Sequence, residues 1–296
     1  MSIKSLFLPK LNQPTDREIL APEPEGHSIP KIIHQTFYDR KLPPELQSSV
    51  AALRALNPGW EYRFYDDNDI AVFIQENYPP EVWRYFERID KRYGAARADL
   101  FRYLLMYKVG GVYLDIKSAA VQPLDSGLRV DDKFLLSKWV TADGAFAWGN
   151  HEELRHIAGG EYQQWYIACA SGHPFLKAVV ESVLSNIDAY DPVLHGVGKY
   201  GVLRVTGPVA YTLAIERIRS SAVFRIADSE RELGLNYNVF SGQSHQTTFK
   251  SHYSLQSAPL VRQGMLKRQM TRIYTLMQRA YHLTKRLRPV RDRHSR

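Results

Sequence analysis

The 296-residue sequence has one cysteine, Cys169. A lone cysteine excludes an intramolecular disulfide, and its setting, WYIACASGHP, reads as a buried strand, so a packed thiol is expected rather than a nucleophile. Nowhere do about 18 apolar residues follow one another, the length a membrane-spanning helix needs. The start, MSIKSLFLPKLNQP, has no apolar stretch long enough for an export signal. The expectation is a soluble, cytoplasmic, unexported chain in a reducing compartment.

Net positive charge is missing over most of the chain, although the formal total is +8. Residues 261–296 hold eleven Lys/Arg and one acid, a net +10, so the remaining 260 residues carry −2. The basicity belongs to the tail. A domain without a basic surface of its own is a poor nucleic-acid binder, and no nucleic-acid partner is expected.

Apolar and aromatic residues are ample for a large core, at 44% and 12%. Residues 1–28 carry Pro and Glu with little periodicity and read as an extended N-terminal arm. From Ile29 the pattern alternates. KIIHQTF (31–37) reads as a strand, PELQSSVAALRAL (44–56) as a helix, WEYRFYD (60–66) as a strand and DNDIAVFIQEN (67–77) as a helix. Helices follow at 80–89 and 94–109, the second ending at Gly110, a residue favoured at helix C-termini. Strands are expected at 111–116, 133–140 and 165–170, and helices at 174–188 and 208–220. This order predicts an α/β domain over 29–260 with a mainly parallel central sheet, whose ligands sit outside the carboxyl ends of the strands.

The stretch YKVGGVYLDIKSA (107–119) places Asp115 and Lys117 at the end of an expected strand. Strand periodicity would point both side chains to one face, so the two are expected to share a pocket. On the preceding helix Asp99 and Arg102 lie three apart, either as a surface ion pair or as part of a site. Gly110 and Gly111 read either as a cap and tight turn or as a close approach to ligand. His34 in its apolar strand reads as a satisfied core histidine, with a ligand-lining role as the alternative. Thr206-Gly207-Pro208 reads as a helix start, with Thr206 as cap.

IPKIIHQTF, NPGWEYRFYDDND, RADLFRYLLMYKVGGVYLDIKS, SGHPFL and TGP occur in the order and spacing of the family 32 glycosyltransferases, and over about residues 29–260 the chain resembles that family. The resemblance implies a GT-A fold, a nucleotide-binding α/β sandwich, and transfer of a sugar from a nucleotide-sugar donor with retention of configuration. It implies donor binding by Gln35, Phe37, Asp99, Arg102, Tyr103, Gly110, Gly111, Asp115 and Lys117, with Phe37 against the nucleobase and Asp99 and Arg102 on the sugar hydroxyls. It places Asn150, Gln164, Thr206 and Gly207 beside the acceptor or transferred sugar. Asp115 and Lys117 are the candidate catalytic pair.

The family's DXD motif ordinarily holds Mn²⁺ or Mg²⁺ through its second carboxylate. Here the motif is Asp115-Ile116-Lys117. An ammonium in place of a hard oxygen ligand leaves two readings: Lys117 is itself the diphosphate counter-charge and the site is metal-independent, or Asp115 and His252 still hold a divalent cation. The implied partners are a nucleotide-sugar donor and a carbohydrate or lipid-linked acceptor, such as a lipopolysaccharide-type glycan. A non-catalytic sugar-nucleotide or glycan binder is the alternative.

In the tail, Leu266, Met270, Ile273, Met277 and Tyr281 make one helical stripe, opposite Arg268, Arg272, Arg279 and Arg286. This predicts a basic amphipathic helix. Either residues 265–288 dock on an anionic membrane surface, which would make the protein peripheral at the inner face, or the stripe packs on the domain.

Overall fold

The computed structural model describes residues 11–13, 19–139, 149–240 and 256–262, together with 264 and 269. Its elements run β1 (Ile32–Thr36), α1 (Pro44–Leu56), β2 (Glu61–Tyr65), α2 (Asp67–Asn77), α3 (Pro80–Arg88), α4 (Gly94–Val109), β3 (Gly111–Leu114), β4 (Ala119–Ala120), α5 (Leu124–Gly127), β5 (Leu135–Leu136), β6 (Tyr166–Cys169), α6 (Pro174–Ala189), α7 (Gly198–Val205), α8 (Pro208–Ile218), β7 (Arg225–Ile226) and β8 (Leu235–Asn236). Several boundaries have visible causes. Proline, whose fixed φ suits a first helical turn, opens α1, α3, α6 and α8. At α2 the Asp66 carboxylate accepts from the Asn68 and Asp69 backbone while Asp69 returns a bond to the Asp66 N–H.

The central sheet has the order β2-β1-β3-β6. β1 is parallel to both β2 and β3, and β6 is antiparallel to β3. Alternate residues face opposite ways. Tyr113, Ile167 and Cys169 enter a cluster with α4, α6 and α8, whereas Val112, Leu114, Tyr166 and Ala168 pack with Leu53, Trp60 and Leu124 on the other side. The result is an α/β sandwich with a mostly parallel sheet.

Four expectations need correction. The strand foreseen over 133–140 forms a ladder only at Leu135–Leu136, with isolated bridges at Phe134 and Lys138. The described part of the arm is bound to the domain: Leu20 is in the main core, and Asn12 exchanges hydrogen bonds with Asn186. The domain also reaches past 260, since Val261 is buried and bridges to Ile89 and the Arg262 N–H bonds the Arg88 carbonyl. Thr206 does not cap α8; Gly207 holds that position, and Thr206 ends α7.

Gly110 and Gly111 have φ of 71° and 105°. A Cβ on Gly110 would lie 2.6 Å from the Ser171 nitrogen, and one on Gly111 would lie 2.6 Å from the Ile32 carbonyl. Both glycines are therefore required by the approach of neighbouring backbone. They sit at the start of β3, about 13 Å from the end that carries Asp115.

His34 is fully buried, with Nε2 at 3.0 Å from the Gly110 carbonyl and Nδ1 at 3.1 Å from the Tyr65 hydroxyl. A carbonyl only accepts, so Nε2 carries the proton and Nδ1 accepts from Tyr65. Burial lowers its pKa to about 4. The unfolded chain, with an ordinary histidine, binds the extra proton first, so stability is intact above about pH 6.5 and falls as the pH drops toward 4. Between pH 7 and pH 5 the loss expected from His34 is about 2 kcal/mol. Burial lowers His173 as well and adds to the slope. Urea midpoints at the two pH values check this, and His34→Gln should flatten the dependence by its share.

Candidate active site

Parallel pairing brings the carboxyl ends of β1 and β3 to one edge of the sheet, and antiparallel β6 brings its entry, Gln164 and Trp165, to the same edge. The first half of α4 lies over it. Asp99 and Arg102, on one face of that helix, are only 2% and 4% exposed, which excludes a surface ion pair. Arg102 Nη2 meets Asp99 Oδ1 at 3.2 Å, and Nη1 meets Asp115 Oδ1 at 2.9 Å and the Gln164 carbonyl at 2.9 Å. Thr206 Oγ1 donates to Asp99 Oδ2 at 2.9 Å, and the Gln164 amide donates to Oδ1 at 3.3 Å. Tyr103 donates to the Gln164 side chain and the Thr206 carbonyl, at 3.1 and 2.9 Å. Tyr113 donates to Asp115 Oδ1 at 3.3 Å, and its ring lies under the Arg102 guanidinium.

One cation thus sits between two carboxylates. Burial works against the Arg102 charge, but Asp115, Tyr113 and Asp99 outweigh it and hold the guanidinium more firmly protonated than usual. Burial pushes the Asp99 carboxyl up, against the pull of Arg102 and its hydrogen bonds. The Asp115 side chain keeps 23% exposure, against 3% and 5% for its two partners, so it is the member of the trio that can meet a ligand directly.

The expectation that Asp115 and Lys117 share a face through strand periodicity does not hold. β3 ends at Leu114; the Asp115 N–H bonds the Trp165 carbonyl, and the Ser118 N–H returns to the Asp115 carbonyl at 2.8 Å, closing a turn. Lys117 instead reaches Tyr237, donating to its hydroxyl at 2.7 Å with Nζ 4.0 Å from the ring centre. Among the described residues no carboxylate pairs with Lys117, so its charge is held by a neutral phenol.

The other sequence candidates divide. Gln35 is buried at the β1 end and touches the site, its amide 3.4 Å from the Asp115 carbonyl and its oxygen accepting from Tyr62. Phe37 packs into a small cluster with Leu46 and Ile116, tilted against Tyr38 at 4.2 Å. The residue is 5% exposed, covered by these neighbours. Thr206 belongs to the cluster through Asp99. Gly207 is a tight joint between α7 and α8, where a Cβ would come 2.9 Å from the Val202 carbonyl. Asn150 is exposed beside His151 and has no hydrogen bond to the cluster among the described residues. His252 and, apart from 264 and 269, the basic tail from 263 onward lie outside the described residues. Cys169 is buried, its thiol pushed up by burial.

Sequence reasoning missed Tyr237, Trp139 and Glu161. The aromatic spacing gave no periodic signal, because Tyr237 reaches Lys117 across 120 positions through the pairing of β4 with β8.

Asp99, Arg102, Asp115 and Lys117 all fall within residues 43–135, which match the family model described as the glycosyltransferase sugar-binding region containing DXD motif. The chain carries that region, and the resemblance to family 32 glycosyltransferases read from the sequence is borne out. Among curated proteins it is 30% identical over 159 residues to inositol phosphoceramide mannosyltransferase 3 of Schizosaccharomyces pombe, covering 54% of this chain and 38% of that one. It is 32% identical over 102 residues to mannosyl phosphorylinositol ceramide synthase SUR1 of Saccharomyces cerevisiae, covering 34% of this chain and 26% of that one. The chain thus spans well under half the length of these two relatives. Among solved structures, the UDP-bound glycosyltransferase domain from the YGT toxin superposes with a TM-score of 0.51 at 10% identity, covering 76% of this chain and 82% of that one. The fold is that of the GT-A glycosyltransferases, as expected.

Proposed function

We propose that this protein is a retaining glycosyltransferase that moves a hexose or N-acetylhexosamine from a UDP- or GDP-sugar to a glycan or lipid-linked glycan. The observation that carries the reading is the buried Asp99–Arg102–Asp115 cluster at the carboxyl ends of β1 and β3, inside the matched sugar-binding region. The names of the two relatives, both inositol phosphoceramide enzymes, support a lipid-linked acceptor.

In this reading Asp115 meets the donor sugar or ribose, and Arg102 and Asp99 hold its carboxylate in place. Lys117 faces the diphosphate as a point charge, and it stabilises the negative charge that grows as the bond from sugar carbon to phosphate oxygen breaks. The acceptor oxygen forms its bond to that carbon on the face the diphosphate leaves. Its proton passes to the departing phosphate oxygen, so no separate general base is needed.

The donor set argues against a resident divalent ion. Asp115 is engaged by Arg102 and Tyr113, and an ammonium occupies the second DXD position. Activity should therefore persist in EDTA and rise less than about threefold on adding Mn²⁺. Loss in EDTA with recovery in Mn²⁺ would restore the cation reading.

A lipid-linked acceptor is compatible with residues 265–288 docking on an anionic membrane surface rather than packing on the domain. No helix among the described residues is long and apolar enough to cross one. Deleting 265–296 should abolish co-sedimentation with anionic vesicles; unchanged co-sedimentation would remove the anchoring role.

A further inference from the structure

The Lys117 ammonium is met by a single side chain among the described residues, and that side chain is itself braced. Tyr237 accepts one N–H of the ammonium and offers its ring to the same charge. Among the described residues nothing else bonds the ammonium, which leaves two further hydrogens for a ligand. The ring of Tyr237 is held edge-on by two indoles, Trp139 at 5.2 Å and 84° and Trp165 at 5.5 Å and 62°. Each indole is tied in turn: Trp139 Nε1 donates to Glu161 Oε1 at 2.8 Å, and Trp165 Nε1 donates to Gln163 Oε1 at 3.1 Å. Glu161 is fixed from its other oxygen by His151 Nε2 at 2.8 Å. The backbone adds its own clamp, since Ser118 Oγ donates to the Tyr237 carbonyl and the Val239 N–H donates to the Lys117 carbonyl.

Lysine is a flexible stem with a point charge, and it loses rotamer freedom whenever a ligand fixes it. A partner that fixes it beforehand without neutralising it saves that loss and leaves the charge for an anion. A carboxylate in the same place would cancel the charge. A phenol does not.

We propose that Tyr237 is the positioning residue of the site, holding the Lys117 ammonium in place for the diphosphate of a nucleotide sugar. This rests on the reading of Lys117 given above.

The test is a double-mutant cycle on the full chain in EDTA at low salt, with calorimetric affinities for UDP and GDP and for uridine and guanosine. Lys117→Met should weaken binding of the preferred diphosphate by about tenfold or more and leave its nucleoside unchanged. Tyr237→Leu should weaken the diphosphate by about three- to tenfold, again sparing the nucleoside. Tyr237→Phe, which keeps the ring and loses the hydroxyl, should fall between Tyr237→Leu and the wild type, and it carries the test if Tyr237→Leu does not fold. In the background of Lys117→Met, either change at Tyr237 should cost less than about twofold more.

If Lys117→Met weakens the diphosphate but the Tyr237 variants do not, or if the two losses add, the positioning role is wrong while the reading of Lys117 stands. Diphosphate binding unaffected by Lys117→Met, or not measurable even in the wild type, overturns the reading of Lys117 and the proposal with it.

Discussion

Arg102→Met is expected to destabilise the protein by about 3–5 kcal/mol and to abolish sugar transfer. The guanidinium is the cation between Asp99 and Asp115, and both it and Asp99 are buried. Removing it leaves two carboxylates facing each other, with Thr206 and Gln164 on one and Tyr113 on the other as the remaining donors. At about 2–4 °C per kcal/mol for a domain of this size, thermal unfolding should move down by about 6–20 °C. Part of the loss should return at low pH, where protonation relieves the uncompensated carboxylates. A loss below about 1 kcal/mol at neutral pH would mean that the pair behaves like an exposed one.

Asp115→Asn should act differently, with a small stability cost and a large catalytic one. Its side chain is partly open, and Arg102 keeps Asp99 as partner and Gln164 as acceptor. Transfer should fall by about 100-fold, the order seen when a group that orients or stabilises the reacting centre is removed. Affinity for UDP or GDP in EDTA should change little where Asp115 meets the transferred sugar, which these nucleotides lack, and should fall where it meets the ribose, which they keep. A carboxylate that held a bridging cation would give a different pattern, with diphosphate affinity lost in Mn²⁺ together with turnover.

Much of the framework was legible in the sequence because its signals are local. α1, α2 and α4 begin and end where their proline, capping aspartates and terminal glycine say they should. His34 and Cys169 are buried, as their apolar flanks implied. α7 was missed because Gly198 and Gly201 give it a poor helix signature; it is held by packing, with a Cβ on Gly201 only 2.8 Å from the Gly196 carbonyl.

The site was half legible. The spacing of Asp99 and Arg102 put both on one helix face, but only the fold shows that this face is buried and that Asp115 completes it. Periodicity misled at Asp115 and Lys117, because the strand ends two residues short of the expected 116: Asp115 still bonds Trp165, opposite it across β6, but the Ser118 N–H then closes a turn onto its carbonyl. Tyr237, whose ring and hydroxyl receive Lys117, directly follows a two-residue strand, Leu235–Asn236, that has no pattern of its own. The motif's departure from two carboxylates was visible in the sequence, and the structure adds what the lysine touches.

The central claim is that the cluster at the strand ends transfers a sugar. The most direct measurement is release of nucleoside diphosphate by the full chain from a panel of UDP- and GDP-hexoses and N-acetylhexosamines, with a lipid-linked glycan acceptor, alongside Asp115→Asn. The account predicts release and a glycosylated product from at least one donor, with the product's anomeric configuration retained, and about 100-fold less with Asp115→Asn. No release from any donor, in EDTA or in Mn²⁺, by a protein that nonetheless binds one of them would contradict it and leave a sugar-nucleotide binder.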